Sequence, residues 1–250
     1  MNPDPSLKLN LGVVLTAAGE SRRLQLGQRK PYLDLGGRPV LLRTLDAFAP
    51  LDFVREIVIV VNEKDRDEVL QNWGDELTAM KVTHVVPGGT ERQDSVRSGV
   101  ETLSATNEWV AIHDGVRPFV RAEMIESTAR GALATGAAIL AAPMKETVKR
   151  LSTDPGHKTP GLITETVPRS DLWCAQTPQI FPRAQYLEVS RKAGTEGWQV
   201  TDDAQLFEIA GLPVALVEGA YDNIKITTEA DYRLAQSMAE WWFQKNEVCK

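Results

Sequence analysis

The sequence predicts an α/β layered fold with a mostly parallel sheet, on three observations. Apolar, β-rich runs alternate with longer stretches of helical spacing along most of the chain. Two of those runs, 57–61 and 137–142, are apolar without alternation, as strands buried on both faces are. One Pro/Gly-rich excursion, KETVKRLSTDPGHKTPGLITETV at 145–167, breaks the rhythm and reads as a hairpin leaving the main sheet.

The elements follow in order. The start, MNPDPSLKLN, is polar and Pro-bearing, so it reads as a frayed tail rather than a signal peptide. Strands are expected at 11–17, 55–61, 82–86, 108–113, 137–142 and 213–217, where β-branched and apolar residues concentrate. Helices are expected near 39–49, 63–78, 91–104, 121–135, 183–193 and 201–210, with a last one over 228–244 that ends in Trp241-Trp242-Phe243 and packs with it. The excursion divides into β-like runs 145–151 and 162–167 around a turn. A two-stranded arm is marginal alone in water, so it needs the body or another subunit to pack on. The length of 250 residues suits one domain, 1–250, carrying that arm.

Composition narrows the function. Hydrophobic residues make up 42% of the chain and charged residues 25%, enough apolar material for a sizeable core. The net charge of -6 argues against sequence-independent nucleic-acid binding, so the basic cluster at 22–30 reads as a local site. No apolar run approaches the ~20 residues of a membrane span. The two cysteines are too few for a disulfide scaffold, which fits a cytoplasmic setting.

Ligands of open α/β sheets bind beyond the carboxyl ends of the strands, so residues there are the site candidates. The first strand runs into Thr16-Ala17-Ala18-Gly19, small residues that let backbone N–H groups approach a ligand. Arg22, Arg23, Arg29 and Lys30 follow, and neither GxGxxG nor GxxxxGK[ST] is present. In PGGTERQDSVRSGV, Gly88-Gly89 follow a strand, Thr90 is the expected N-cap of a helix, and Ser95 lies in its first turns. In AIHDGVRPF, Asp114 is a strand-end carboxylate and Arg117 a candidate phosphate fork, while His113, with no partner His or Cys, reads as structural. Lys225 is expected in a short strand before a helix capped by Thr227 or Thr228. So many loop cations in an acidic chain point to an enzyme of a nucleoside triphosphate and a second phosphate-bearing substrate.

Those motifs, in order with APMKETVKR, QTPQIF, TDDA and DNIKIT, resemble the 2-C-methyl-D-erythritol 4-phosphate cytidylyltransferases over roughly residues 11–235. The ribitol-5-phosphate cytidylyltransferases share much of the pattern. The resemblance implies a Rossmann-like nucleotidyltransferase core with a mostly parallel sheet and a protruding β-arm, in a homodimer whose arms cross. It implies a reaction of CTP with a sugar-alcohol phosphate in isoprenoid precursor biosynthesis, releasing pyrophosphate, with Mg²⁺ on the triphosphate and no protein metal ligands. Arg23 and Lys30 would stabilise the transition state; Arg169 and Lys225 would position the acceptor phosphate. Ala17, Ala18, Gly19, Gly89, Thr90 and Ser95 would form the cytidine pocket, and Asp114, Arg117, Thr147, Thr177 and Thr201 would line the acceptor. Thr147, Lys149 and Arg169 would come from the arm of the partner subunit; Arg22 and Arg29 drop back as bystanders. The chain departs from the usual pattern at Ser21, Leu24, Pro31, Thr90 and Gly115-Val116. Ribitol phosphate as the acceptor, or a non-catalytic nucleotide-binding module on the same scaffold, are the alternatives.

Overall fold

The computed structural model describes residues 7–19, 29–152 and 161–247. Strand β1 (Leu11–Ala17) leads through a 3-10 turn (Lys30–Tyr32) to α1 (Val40–Phe48) and β2 (Val54–Val61). A second 3-10 turn (Glu63–Asp65) opens α2 (Arg66–Ala79), then β3 (Val82–Pro87), α3 (Arg92–Thr102), β4 (Trp109–Asp114), α4 (Ala122–Thr135) and β5 (Ala138–Pro143) follow. Next come β6 (Val148–Leu151), β7 (Ile163–Val167), β8 (Trp173–Pro182), α5 (Arg183–Glu196), α6 (Ala204–Ile209), β9 (Ala215–Glu218) and α7 (Glu229–Glu247). Apart from a short strand expected around Lys225, every expected strand and helix has a counterpart here, displaced by a few residues at most.

Seven strands form one sheet in the order β3-β2-β1-β4-β8-β5-β9. All neighbours are parallel except β8, which runs antiparallel to both β4 and β5. The sequence reading had no strand there, and Pro178 and Pro182 are unusual residues for an interior strand. The structure resolves the conflict locally. The β4 ladder starts at Gln179, and the β5 ladder skips from Gln179 to Ala175. Pro178 therefore stands in neither ladder, and its missing N–H leaves no gap.

The sheet is buried on both faces. Along β1, Val13 and Leu15 join one apolar cluster while Val14 joins another, as the two-residue strand period requires. The first cluster takes in Leu41, Leu45 and Phe48 of α1 with Ile125 and Ala129 of α4; the second takes in Val96 and Val100 of α3 with Tyr186 and Phe207. Helix α3 lies so close to the sheet that a Cβ on Gly99 would fall 2.6 Å from Val14 Cγ1. A third cluster seats α7 on Leu33, Leu35, Val40 and Phe119. Trp242 meets Phe119 edge-on at 5.5 Å and Arg43 lies 3.9 Å over the Phe243 ring, whereas Trp241 is 64% exposed.

Strands β6 and β7 form a separate antiparallel ribbon, with Val148 opposite Val167 and Arg150 opposite Glu165. Leu151, Leu162 and Ile163 on it are exposed. Its base is tied to the body: Tyr221 Oη donates to the Pro143 carbonyl at 3.0 Å, and Lys145 Nζ sits 4.9 Å over the Tyr221 ring.

Candidate active site

Beyond the carboxyl ends of β1, β3 and β4 lies a cavity of about 680 Å³. One wall is the end of β1, Thr16 to Gly19; a second is the turn and first helical residues Gly89, Thr90, Glu91, Arg92 and Ser95. Lys30, Asp114 and Lys225 complete it. Nine expected site residues thus meet here: Ala17, Ala18, Gly19, Lys30, Gly89, Thr90, Ser95, Asp114 and Lys225.

The second wall is built by close approach. A Cβ on Gly88 would lie 2.5 Å from Ala18 Cβ, and one on Gly89 2.6 Å from Asp94 Cβ, so only glycine fits. The Gly89 N–H donates to Ser95 Oγ at 3.0 Å, and that hydroxyl donates to the Glu91 carbonyl at 3.1 Å. Ser95 therefore fastens the turn to the helix it precedes. The N-cap of α3 is Glu91 with no side-chain cap bond, so the expected Thr90 cap is not formed.

Asp114 is 5% exposed and holds two cations. Lys225 Nζ lies 3.0 Å from one carboxylate oxygen and Arg117 Nε 3.0 Å from the other. Burial alone would raise its pKa; Lys225, Arg117 and Arg92 outweigh burial and hold the carboxyl below the usual carboxylate range. Arg117 does not line the cavity. It braces Asp114 from behind and donates to the Asn223 carbonyl at 2.8 Å.

Thr177 is likewise internal. Its hydroxyl accepts the Asp114 N–H at 3.1 Å and lies 3.0 Å from His113 Nδ1. His113 Nε2 faces the Arg117 carbonyl at 3.4 Å, and a carbonyl only accepts. The proton of the neutral ring is therefore on Nε2, and Thr177 donates to Nδ1. Burial depresses the His113 pKa to about 3, with the Asp114 charge opposing and Arg117 and Lys225 assisting. The expected structural role for this histidine fits that placement.

Lys225 stands in irregular chain rather than the expected short strand. The helix cap after it is present: the Asp231 N–H donates to Thr228 Oγ1 at 3.2 Å, while Asp231 Oδ2 accepts from the Thr227 and Thr228 amides. These three bonds fix the chain just after Lys225. Of the other candidates, Thr201 is exposed and hydrogen-bonded to Gln205. Thr147 and Arg169 belong to the arm region, where Arg169 donates to the Lys145 carbonyl. Neither these nor Lys149 on β6 lines the cavity. Arg22 and Arg23 lie outside the described residues. Arg29 pairs with Asp65 at 3.1 Å, apart from the cavity wall.

Sequence reading missed Arg92. It lines the cavity and pairs with Asp203 at 2.7 Å; burial disfavours its charge, but Asp203 and then Asp114 raise its pKa above the ordinary arginine value. The only local signal was its place three residues after the Gly88-Gly89 turn.

Among the described residues no group of three or more His, Cys, Asp or Glu is placed to hold a metal ion. Both oxygens of Asp114 are already engaged by cations. The two lysines and Arg92 on the wall suit an anionic ligand.

A family model described as 2-C-methyl-D-erythritol 4-phosphate cytidylyltransferase matches residues 11–240. The enzyme of that name from Bacillus licheniformis is 39% identical over 238 residues, 93% of this chain and 96% of that one. The crystal structure of 4-diphosphocytidyl-2C-methyl-D-erythritol synthase from Anaerococcus prevotii superposes with a TM-score of 0.80 at 32% identity, covering 95% of this chain and 100% of that one. That of 2-C-methyl-D-erythritol 4-phosphate cytidylyltransferase from Thermus thermophilus gives 0.73 at 30% identity, covering 93% and 100%.

Proposed function

Since the chain belongs to the 2-C-methyl-D-erythritol 4-phosphate cytidylyltransferase family, we propose that its cavity joins CTP to 2-C-methyl-D-erythritol 4-phosphate. The products are the CDP-linked methylerythritol and pyrophosphate, in isoprenoid precursor biosynthesis. The observation that carries this reading is the pair of lysines, Lys30 and Lys225, in one cavity wall with a carboxylate, Asp114, held ionised between cations.

An acceptor phosphate oxygen attacks the α-phosphorus of CTP in line. A new P–O bond forms as the bond to the pyrophosphate oxygen breaks. The acceptor phosphate is already largely ionised near pH 7, so no strong base is needed. The task is to bring two anions together and meet the charge that develops. Lys30, with Arg23 seven residues before it in the sequence, meets the triphosphate; Lys225 bridges toward the acceptor phosphate. Ala17 to Gly19 with Gly89, Thr90 and Ser95 offer backbone and hydroxyl groups to the cytidine. Asp114 orients Lys225 and faces the acceptor hydroxyls; Arg117 and Thr177 hold Asp114. Mg²⁺ bound to the CTP substrate would supply charge neutralisation at its phosphates.

We further propose one domain, residues 1–250, acting in the cytoplasm as a homodimer through the arm at 145–167. In it Thr147, Lys149 and Arg169 serve the site of the opposite subunit, and Thr201 borders the acceptor phosphate. Among the described residues no helix is long and apolar enough to cross a membrane.

The test is pyrophosphate release from CTP and Mg²⁺ with each acceptor. Release with 2-C-methyl-D-erythritol 4-phosphate is expected; release with ribitol 5-phosphate alone overturns the substrate, and none with either overturns the enzyme reading. Lys30→Ala and Lys225→Ala should each lower kcat by about 10²–10³, or about 3–4 kcal/mol, the cost of removing one preorganised charge donor. Arg23→Lys should also slow the reaction, because a bidentate fork becomes a point charge.

A further inference from the structure

Arg92 is the one cation on the cavity wall, among the described residues, that the reaction outlined above leaves without a task. Its anchor is elaborate. Asp203, 1% exposed, accepts Tyr186 Oη at 2.8 Å on one oxygen and meets Arg92 Nη2 at 2.7 Å on the other. The amides of Asp203 and Ala204 both donate to Gln179 Oε1, at 3.1 and 3.0 Å, which ties the carboxylate loop to β8. A buried carboxylate needs a cation, and that accounts for the pair. It does not account for where the cation stands. The Arg92 side chain keeps 34% of its surface exposed and lines the cavity, while its partner is sealed. The guanidinium has five N–H donors in a rigid fork, and the ion pair engages Nη2, so the rest of the fork remains at the wall. Arg92 is among the cations that hold Asp114 ionised, and Asp114 meets Lys225 on the wall of the same cavity. Arg92, Asp114 and Lys225 thus line one cavity, where under the proposed reaction the phosphates of two substrates would meet.

We propose that Arg92 is a further catalytic cation, touching the reacting phosphates in the transition state, with Asp203 and Tyr186 as its positioning residues. This rests on the cytidylyltransferase reading. A guanidinium held in place before substrate arrives stabilises developing phosphate charge without reorganising.

The experiment compares wild-type enzyme with Arg92→Met, Arg92→Lys and Tyr186→Phe. Steady-state pyrophosphate release is measured with CTP and 2-C-methyl-D-erythritol 4-phosphate each varied, and folding is checked by circular dichroism. Arg92→Met should lower kcat by about 10²–10³ and change both KM values much less. Arg92→Lys should recover part of that loss, and Tyr186→Phe should lower kcat by a smaller factor at unchanged KM. A role in structure alone would move the melting temperature and leave kcat per folded enzyme alone, which overturns the proposal. If Arg92→Met does not fold, Arg92→Lys decides: kcat within threefold of wild type overturns the proposal. A wild-type enzyme that releases no pyrophosphate overturns the enzyme reading instead.

Discussion

His113 is sealed between Thr177, the Arg117 carbonyl and the edge of Phe48 at 4.9 Å, and it stays neutral down to about pH 3. An unfolded histidine titrates near 6.5. Between those values the unfolded chain binds a proton that the folded chain refuses, so stability falls as pH drops from about 6.5 toward about 3. The slope from this one group is at most about 1.4 kcal/mol per pH unit. Asp114 adds the same trend lower down: its depressed pKa stabilises the fold above the ordinary carboxylate range, and that contribution fades as pH falls through the folded value. Urea unfolding at pH 7 and pH 5 checks the histidine. His113→Gln should lose less stability between the two than wild type does; an equal loss contradicts the assignment. Much of this site was legible residue by residue, because small residues and cations at strand ends announce phosphate chemistry. Arg117 and Thr177 were legible as important but not as internal braces, since a sequence does not say which way a side chain is already committed. Arg92 was missed because its anchor, Asp203, lies over a hundred positions away.

At the level of elements, α3 is held against β1 and β2 by the absence of one side chain. A Cβ at Gly99 would meet Val14 Cγ1 at 2.6 Å and Val60 Cγ2 at 2.8 Å, both on fully buried, β-branched residues with little freedom to turn aside. Gly99→Ala should cost about 1–3 kcal/mol by overpacking, read as a lower melting temperature. Because α3 also carries Arg92 and Ser95, the variant should raise the KM for CTP even where it folds. The helices and parallel strands were predicted closely, since apolar runs and helical spacing dominate them. Strand β8 escaped because its prolines speak locally for a loop. What makes it a strand is tertiary: β4 and β5 leave a slot between them, and Gln176 to Phe181 are buried there.

For the whole molecule, the ribbon of β6 and β7 is the feature that a lone subunit leaves unexplained. Its apolar Leu151, Leu162 and Ile163 face solvent, at 51%, 77% and 62% exposure, and two strands alone are marginal. If the arm builds the proposed dimer, replacing 149–166 with a short Gly/Ser turn should leave a monomer in sedimentation and abolish pyrophosphate release. A monomeric wild-type enzyme with full activity contradicts the shared site.

Strand β8 constrains how this chain can change length over generations. Its first residues adjoin the base of the ribbon, its middle sets Thr177 under Asp114 and Gln176 against Asn223 at 3.1 Å, and its last residues close the ladder with β4. Adding or removing one residue between 175 and 180 would exchange the faces of Gln176 and Thr177 and unseat both neighbours. Insertions and deletions are therefore shut out of that strand. Lineages of this enzyme that vary in size should do so outside β8, and an alignment of family members that places length changes inside 175–180 would contradict this.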